Sequence, residues 1–113
     1  MKKKKYNPRI VTAFFMAHGI VPPAYEYIFH PTRKWRFDLA WPGKKVYLEV
    51  DGGIWIKGGH NRGAQMKKDW EKRNHATMLG WRGLWCEPKD LLKKETVDYI
   101  KGALSWTKTK KLD

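Results

Sequence analysis

The sequence predicts one α/β domain, with a β-hairpin near its middle and helical segments before and after it. Three observations predict this. Trp35 to Trp41 and Lys45 to Asp51 alternate apolar and polar residues on either side of Pro42-Gly43, the pattern of two half-buried strands joined by a turn. Three other segments carry apolar residues at helical spacing. The chain has 113 residues, 42% of them hydrophobic, which suits one modest core.

Each element has its own signal. From about Pro8 to His18, Ile10, Val11, Phe14 and Phe15 fall at helical spacing, and Gly19 ends the helix. Pro22-Pro23 breaks the chain, and Tyr25 to Phe29 reads as a strand. The hairpin follows, then Gly52-Gly53 and a Gly-rich loop to Arg62. A helix from about Gly63 to Leu79 would place Met66, Trp70 and Met78 on one face, with Gly80 as C-terminal cap. Trp81 to Cys86 reads as a short strand. Pro88 opens a last helix whose inner face is Leu92, Ile100 and Leu104. The order is helix, three strands, helix, strand, helix, a single domain over 1–113 with basic arms at about 1–7 and 105–113.

Composition narrows the function. Twenty-four Lys and Arg against eleven Asp and Glu give a formal net charge of +13. Charge of that size repels itself unless a polyanion neutralises it, so nucleic acid is the expected partner. Cys86 is the only cysteine, which excludes an internal disulfide and a Cys-rich zinc site. No apolar run approaches the ~20 residues of a membrane span, and Met1 to Lys5 lacks the features of a secretory signal. The expected location is the cytoplasm, that of a bacterial host if the chain is phage-encoded, with no membrane association and no small-molecule cofactor.

The hairpin carries the candidate chemistry. Pairing Leu39 with Val46 and Phe37 with Leu48 puts the apolar residues on one face. Asp38 then lies opposite Tyr47 and Arg36 opposite Glu49, with Asp38 and Glu49 as diagonal neighbours. Asp51 follows one pleat further on. Clustered carboxylates in so basic a chain raise each other's pKa unless a cation sits between them. A hard divalent cation such as Mg²⁺ would resolve this and would activate a phosphodiester. The plain alternative is a solvated face on which Arg36 pairs with Glu49.

Phe29-His30-Pro31, Trp35-Arg36-Phe37-Asp38, Leu48-Glu49-Val50-Asp51-Gly52-Gly53-Ile54-Trp55, Gly59-His60-Asn61-Arg62-Gly63, Asp69-Trp70-Glu71-Lys72-Arg73-Asn74 and Leu79-Gly80-Trp81-Arg82 succeed one another in order. Together they resemble motifs of small phage-type PD-(D/E)XK endonucleases, relatives of the very-short-patch-repair endonucleases. The resemblance covers about half the chain. It implies a restriction-endonuclease-like core, a central mixed sheet flanked by helices. It implies Asp38 as the metal-binding Asp, Glu49 as its acidic companion, and cleavage of DNA with Mg²⁺, Mn²⁺ also serving. Asp51 stands where the family usually has Lys, which leaves the general base open. Asp51 would then join the metal shell, and Lys68 or Lys72 on the next helix would supply the cation. Glu26 is similar to the early acidic residue of archaeal Holliday junction resolvases in this superfamily and is a further candidate ligand.

His60 is read as a phosphate contact or proton donor. Arg33, Lys34, Arg36, Lys57, His60, Arg62 and Lys68 are the candidate DNA contacts. Asp69 and Arg73 read as an intrahelical ion pair, and His18, His30 and His75 carry no ligand spacing. Trp70 and Trp81 are expected in the core. Trp41, Trp55, Trp85 and Trp106 are candidates for base stacking or a subunit interface. The expected substrate is branched DNA such as a Holliday junction, because so small and basic a chain suits recognition of backbone shape. Symmetric resolution calls for a homodimer. The rival readings are a Vsr-like mismatch or nicking endonuclease, an HNH-type nuclease using His60, and a non-catalytic nucleic-acid binder.

Overall fold

A computed structural model of the protein describes residues 6–52 and 62–106. The chain is α/β. Its elements are α1 (Pro8–Ala17), β1 (Ala24–Ile28), β2 (Arg36–Trp41), β3 (Val46–Val50), α2 (Arg62–Met78), β4 (Arg82–Cys86) and α3 (Lys94–Ser105), with a 3₁₀ turn at Pro88–Asp90. The four strands form one mixed sheet in the order β1-β2-β3-β4. The first three are antiparallel and β4 runs parallel to β3, so α2 is the crossover between them. This architecture is compatible with a restriction-endonuclease-like core. Among the described residues no helix is long and apolar enough to cross a membrane.

Local chemistry explains the element ends. Asn7 Oδ1 accepts from the amides of Arg9 and Ile10 and so caps α1, with Pro8 in the first turn. Gly19 and Gly80 take positive φ, +81° and +87°, where α1 and α2 end. Tyr6 packs against the core next to Tyr25, so order begins before α1.

Two apolar layers cover the sheet. On one side α1 and α3 bring Val11, Phe15, Val97 and Ile100 onto Leu39, Trp41, Val46, Leu48 and Val50. On the other, Ala76 of α2 and Trp81 cover Phe37, Ala40 and Tyr47. Phe29, Phe37 and Tyr47 stack as parallel rings, with centroids 4.0 and 3.7 Å apart, and Trp81 meets all three nearly edge-on. Such pairs contribute about 0.5–1.5 kcal/mol each beyond burial.

Several expectations are corrected. The hairpin register is Leu39 with Leu48, Ala40 with Tyr47 and Trp41 with Val46, two residues away from the pairing expected. The expected register left Trp41 without an apolar partner. The observed one pairs it with Val46 and buries both. Arg36 lies opposite Ile28 of β1, not opposite Glu49. Phe37 and Leu39 do not share a face: Phe37 packs under α2, and Leu39 under α1 and α3. The alternation reverses on both strands, between Tyr25 and Tyr27 in β1 and between Leu39 and Phe37 in β2. Glu26, at the reversal in β1, has a left-handed φ of 51°.

The helix faces also differ. Met66, Trp70 and Met78 are exposed, and the sheet-facing side of α2 carries Lys72, His75, Ala76 and Leu79. Trp41 is core, while Trp85 and Trp106 are exposed. Leu92 is exposed, and Leu91, Val97 and Ile100 make the inner side of the last segment, with Leu104 partly buried against it.

Candidate active site

Asp38 and Glu49 belong to adjacent strands and are the next residues on β2 and β3 beyond the Leu39–Leu48 pair, where the backbone register ends. Here side chains take part in the strand pairing. The amide of Asp38 donates to Glu49 Oε2 at 2.9 Å, and the amide of Val50 donates to Asp38 Oδ2 at 2.7 Å. Each carboxylate therefore satisfies a backbone donor on the other strand, as buried amides require.

The third member comes from α2. Lys72 Nζ donates to Glu49 Oε1 and forms an ion pair with it. The ammonium also lies 5.6 Å from the centroid of the Phe37 ring, within reach of a cation–π attraction. Both partners are largely buried, at 22% and 17% side-chain exposure, so little solvent screens the pair. Burial pushes the Glu49 carboxyl above its ordinary pKa. The charge and hydrogen bond of Lys72 and the Asp38 amide oppose that rise, and the Asp38 charge adds to it. Lys68, the other sequence candidate, is exposed on α2.

Tyr6 is a neighbour that the sequence did not point to. Its hydroxyl is held above the ordinary phenol range by burial and then by the charges of Asp38 and Glu26. It therefore stays neutral. Its only sequence signal is an aromatic residue just before a helix cap.

The four-carboxylate shell expected of Asp38, Glu49, Asp51 and Glu26 is not assembled among the described residues, where no three His, Cys, Asp or Glu side chains are grouped to share one ion. Glu26 is exposed on β1, and Asp51 is exposed just past β3 with its amide on the carbonyl of Cys86. Asp38 and Glu49 remain as two hard oxygen donors. That set fits Mg²⁺, which is commonly held by one or two carboxylates with water and substrate phosphate completing the octahedron.

The candidate DNA contacts separate by position. Lys34, Arg36 and Lys68 are exposed. Arg33 is committed within the fold, donating to Glu71 at 3.1 Å and lying 3.9 Å from the centroid of the Trp35 ring. Arg73 does not pair with Asp69, whose carboxylate accepts from Gln65. Its guanidinium instead lies 4.4 Å from the centroid of the Trp85 ring. Lys57, His60 and Trp55 lie outside the described residues, as does the side chain of Arg62.

His30 and His75, given no role from sequence, form a pair. The amides of Thr32 and Arg33 both donate to His30 Nδ1. Its proton is therefore on Nε2, which donates to His75 Nδ1 at 3.1 Å. This bond and the Arg33–Glu71 pair tie the β1–β2 connection to α2, the helix that presents Lys72. No family model, curated protein or solved structure matches the chain.

Proposed function

We infer that this chain is a metal-dependent DNA endonuclease whose centre is Asp38, Glu49 and Lys72. The observation that carries the reading is the Lys72–Glu49 ion pair beside Asp38. Two acidic residues and a lysine are the side chains a PD-(D/E)XK site uses, and on this reading the lysine comes from α2, Asp51 standing where the family motif usually has lysine. The net charge of +13 supplies attraction for a phosphate backbone.

Asp38 and Glu49 would hold Mg²⁺, with Mn²⁺ able to replace it. Bound there, the cation supplies Lewis acidity toward the phosphodiester and a source of activated water. Val50 and the Asp38 amide fix the two carboxylates in place, which is the preorganisation such chemistry needs. Lys72 favours the ionised form of Glu49 against the effect of burial and offers a positive charge to the phosphate as charge builds on it. Water adds to phosphorus, the bond to one sugar oxygen breaks, and that oxygen leaves with a proton. The favoured substrate is branched DNA, a four-way junction, cut by a homodimer whose two sites make paired nicks. The cytoplasm, of a bacterial host if the chain is phage-encoded, is where such DNA would be met.

A second reading also has an observation behind it. Both carboxylates accept backbone hydrogen bonds, so they could serve only to join two strands in a non-catalytic nucleic-acid binder. The deciding experiment presents junction, fork, mismatched, duplex and single-stranded DNA in parallel, with Mg²⁺, Mn²⁺, Ca²⁺ or EDTA. The nuclease reading expects cutting with Mg²⁺ and Mn²⁺, binding alone with Ca²⁺, and the junction cut first. Light scattering of the same sample should give twice the chain mass. Binding to every DNA with no cutting under any metal would favour the binder. Faster cutting of mismatched duplex by a monomer would favour a mismatch endonuclease.

A further inference from the structure

A cleft of about 540 Å³ opens between α2 and β4, beside the candidate active site. Its walls include Trp70, Arg73 and Asn74 of α2 and Trp85 of β4, with Tyr47 and Gly83 at its base. Trp85 pairs with Glu49 across the parallel ladder, so their side chains leave the sheet on one face, roughly 5 Å apart at the backbone. Arg73 follows Lys72 in the helix. The cleft therefore begins one strand and one residue from the carboxylate that Lys72 holds.

Its construction points to a flat, polar-edged occupant. Trp70 and Trp85 are large rings left half exposed, at 51% and 44%. The Arg73 guanidinium already lies over Trp85, in the manner of a planar group stacked on an indole. Tyr47 is 97% buried, as its residual exposure is 3%. Among the described residues nothing hydrogen-bonds its hydroxyl, yet no buried side-chain polar atom lacks a partner or solvent. The hydroxyl therefore faces the cleft. A Cβ on Gly83 would stand 2.3 Å from Tyr47 Cζ, so only glycine lets the ring lie across β4 at this base. The volume falls in the range of small-molecule sites, and the chain's positive charge favours a strand of DNA as the source of the occupant.

We propose that this cleft receives one unpaired nucleobase of the bound DNA strand, stacked on Trp85 and Trp70, with its polar edge toward Tyr47 and Asn74. The proposal rests on the DNA reading above and sharpens it. The preferred branch is one that offers an unpaired base next to the cut phosphate, and Trp85 and Arg73 hold that base while Asp38 and Glu49 address the backbone.

The test uses the full chain in Ca²⁺ and two labelled four-way junctions. One is fully paired, and the other carries a single unpaired 2-aminopurine at the branch. The unpaired junction should bind roughly tenfold tighter, the order of one base stacked on an aromatic ring. The 2-aminopurine fluorescence should fall as it stacks. Trp85→Ala should remove the preference and the quenching. Tyr47→Phe, which keeps the ring and the packing, should reduce the preference by a few-fold. Equal affinities with unchanged 2-aminopurine emission would overturn the cleft and leave the nuclease reading standing. Equal losses on both junctions in Trp85→Ala would overturn it too. Failure to bind either junction would overturn both readings.

Discussion

The amide of Asp38 donates to Glu49 Oε2, and the amide after Glu49, that of Val50, donates to Asp38 Oδ2. The two residues thus hold each other across β2 and β3, and each is both a structural link and a candidate ligand. Substitutions that keep shape and remove charge separate those roles.

Asp38→Asn and Glu49→Gln should each abolish cleavage, by about a thousandfold or more, which is several kcal/mol of lost transition-state stabilisation. Both amides retain an oxygen for the backbone N–H, so the fold should survive. DNA binding should stay near wild type or tighten as repulsion against phosphate falls. Single-turnover rates and filter binding give the two readouts. Near wild-type cutting by either variant in Mg²⁺ would sink the site assignment.

Lys72→Ala should cost far more turnover than Lys68→Ala, because only Lys72 reaches Glu49. It should also destabilise the domain by about 1–3 kcal/mol, since a largely buried carboxylate loses its partner. Asp51→Asn should cost less activity than Glu49→Gln. Equal and small losses from both lysine variants would mean that the cation comes from elsewhere.

The raised pKa of Glu49 has a defined sign. The folded protein binds that proton more tightly than the unfolded chain, whose value is near 4.5. This contribution to stability is fully present below 4.5 and is lost as pH rises through the folded pKa. The melting temperature of Glu49→Gln relative to wild type should therefore improve from pH 4.5 upward. Cleavage has the opposite dependence, since it needs Glu49 ionised. Its acid limb should move to higher pH in Lys72→Ala, which removes the charge that favours the ionised carboxylate.

The His30–His75 pair gives a second pH dependence. Burial, His75 and Arg33 lower the His30 pKa from its ordinary 6.5, so the unfolded chain takes the proton first. Stability should be full above 6.5 and fall as pH drops through that value toward the folded pKa. Melting curves between pH 7.5 and 5.5 should show the fall in wild type and a flatter profile in His30→Asn. An unchanged slope in that variant would remove the pair from the account.

The sequence by itself determined the element order, the position of the hairpin and the placing of Asp38 and Glu49 on neighbouring strands. Those depend on local periodicity and on turn residues such as Pro42-Gly43, Gly19 and Gly80, whose conformational preferences act over a few residues. The tertiary structure alone decided the register, the faces and the third member of the site. An even slip of two residues keeps every side chain on its face, so alternation cannot distinguish the two pairings. What distinguishes them is Trp41 finding Val46 and a buried place between α1 and the sheet. The face of α2 was misread for a related reason. Apolar spacing selected Met66, Trp70 and Met78, but Lys72 and His75 turn inward because Glu49 and His30 are there to meet them. A polar residue's burial is set by its partner's position, and that partner is distant in sequence, Glu49 of β3 lying 23 residues from Lys72 and His30 of the β1–β2 connection 45 from His75.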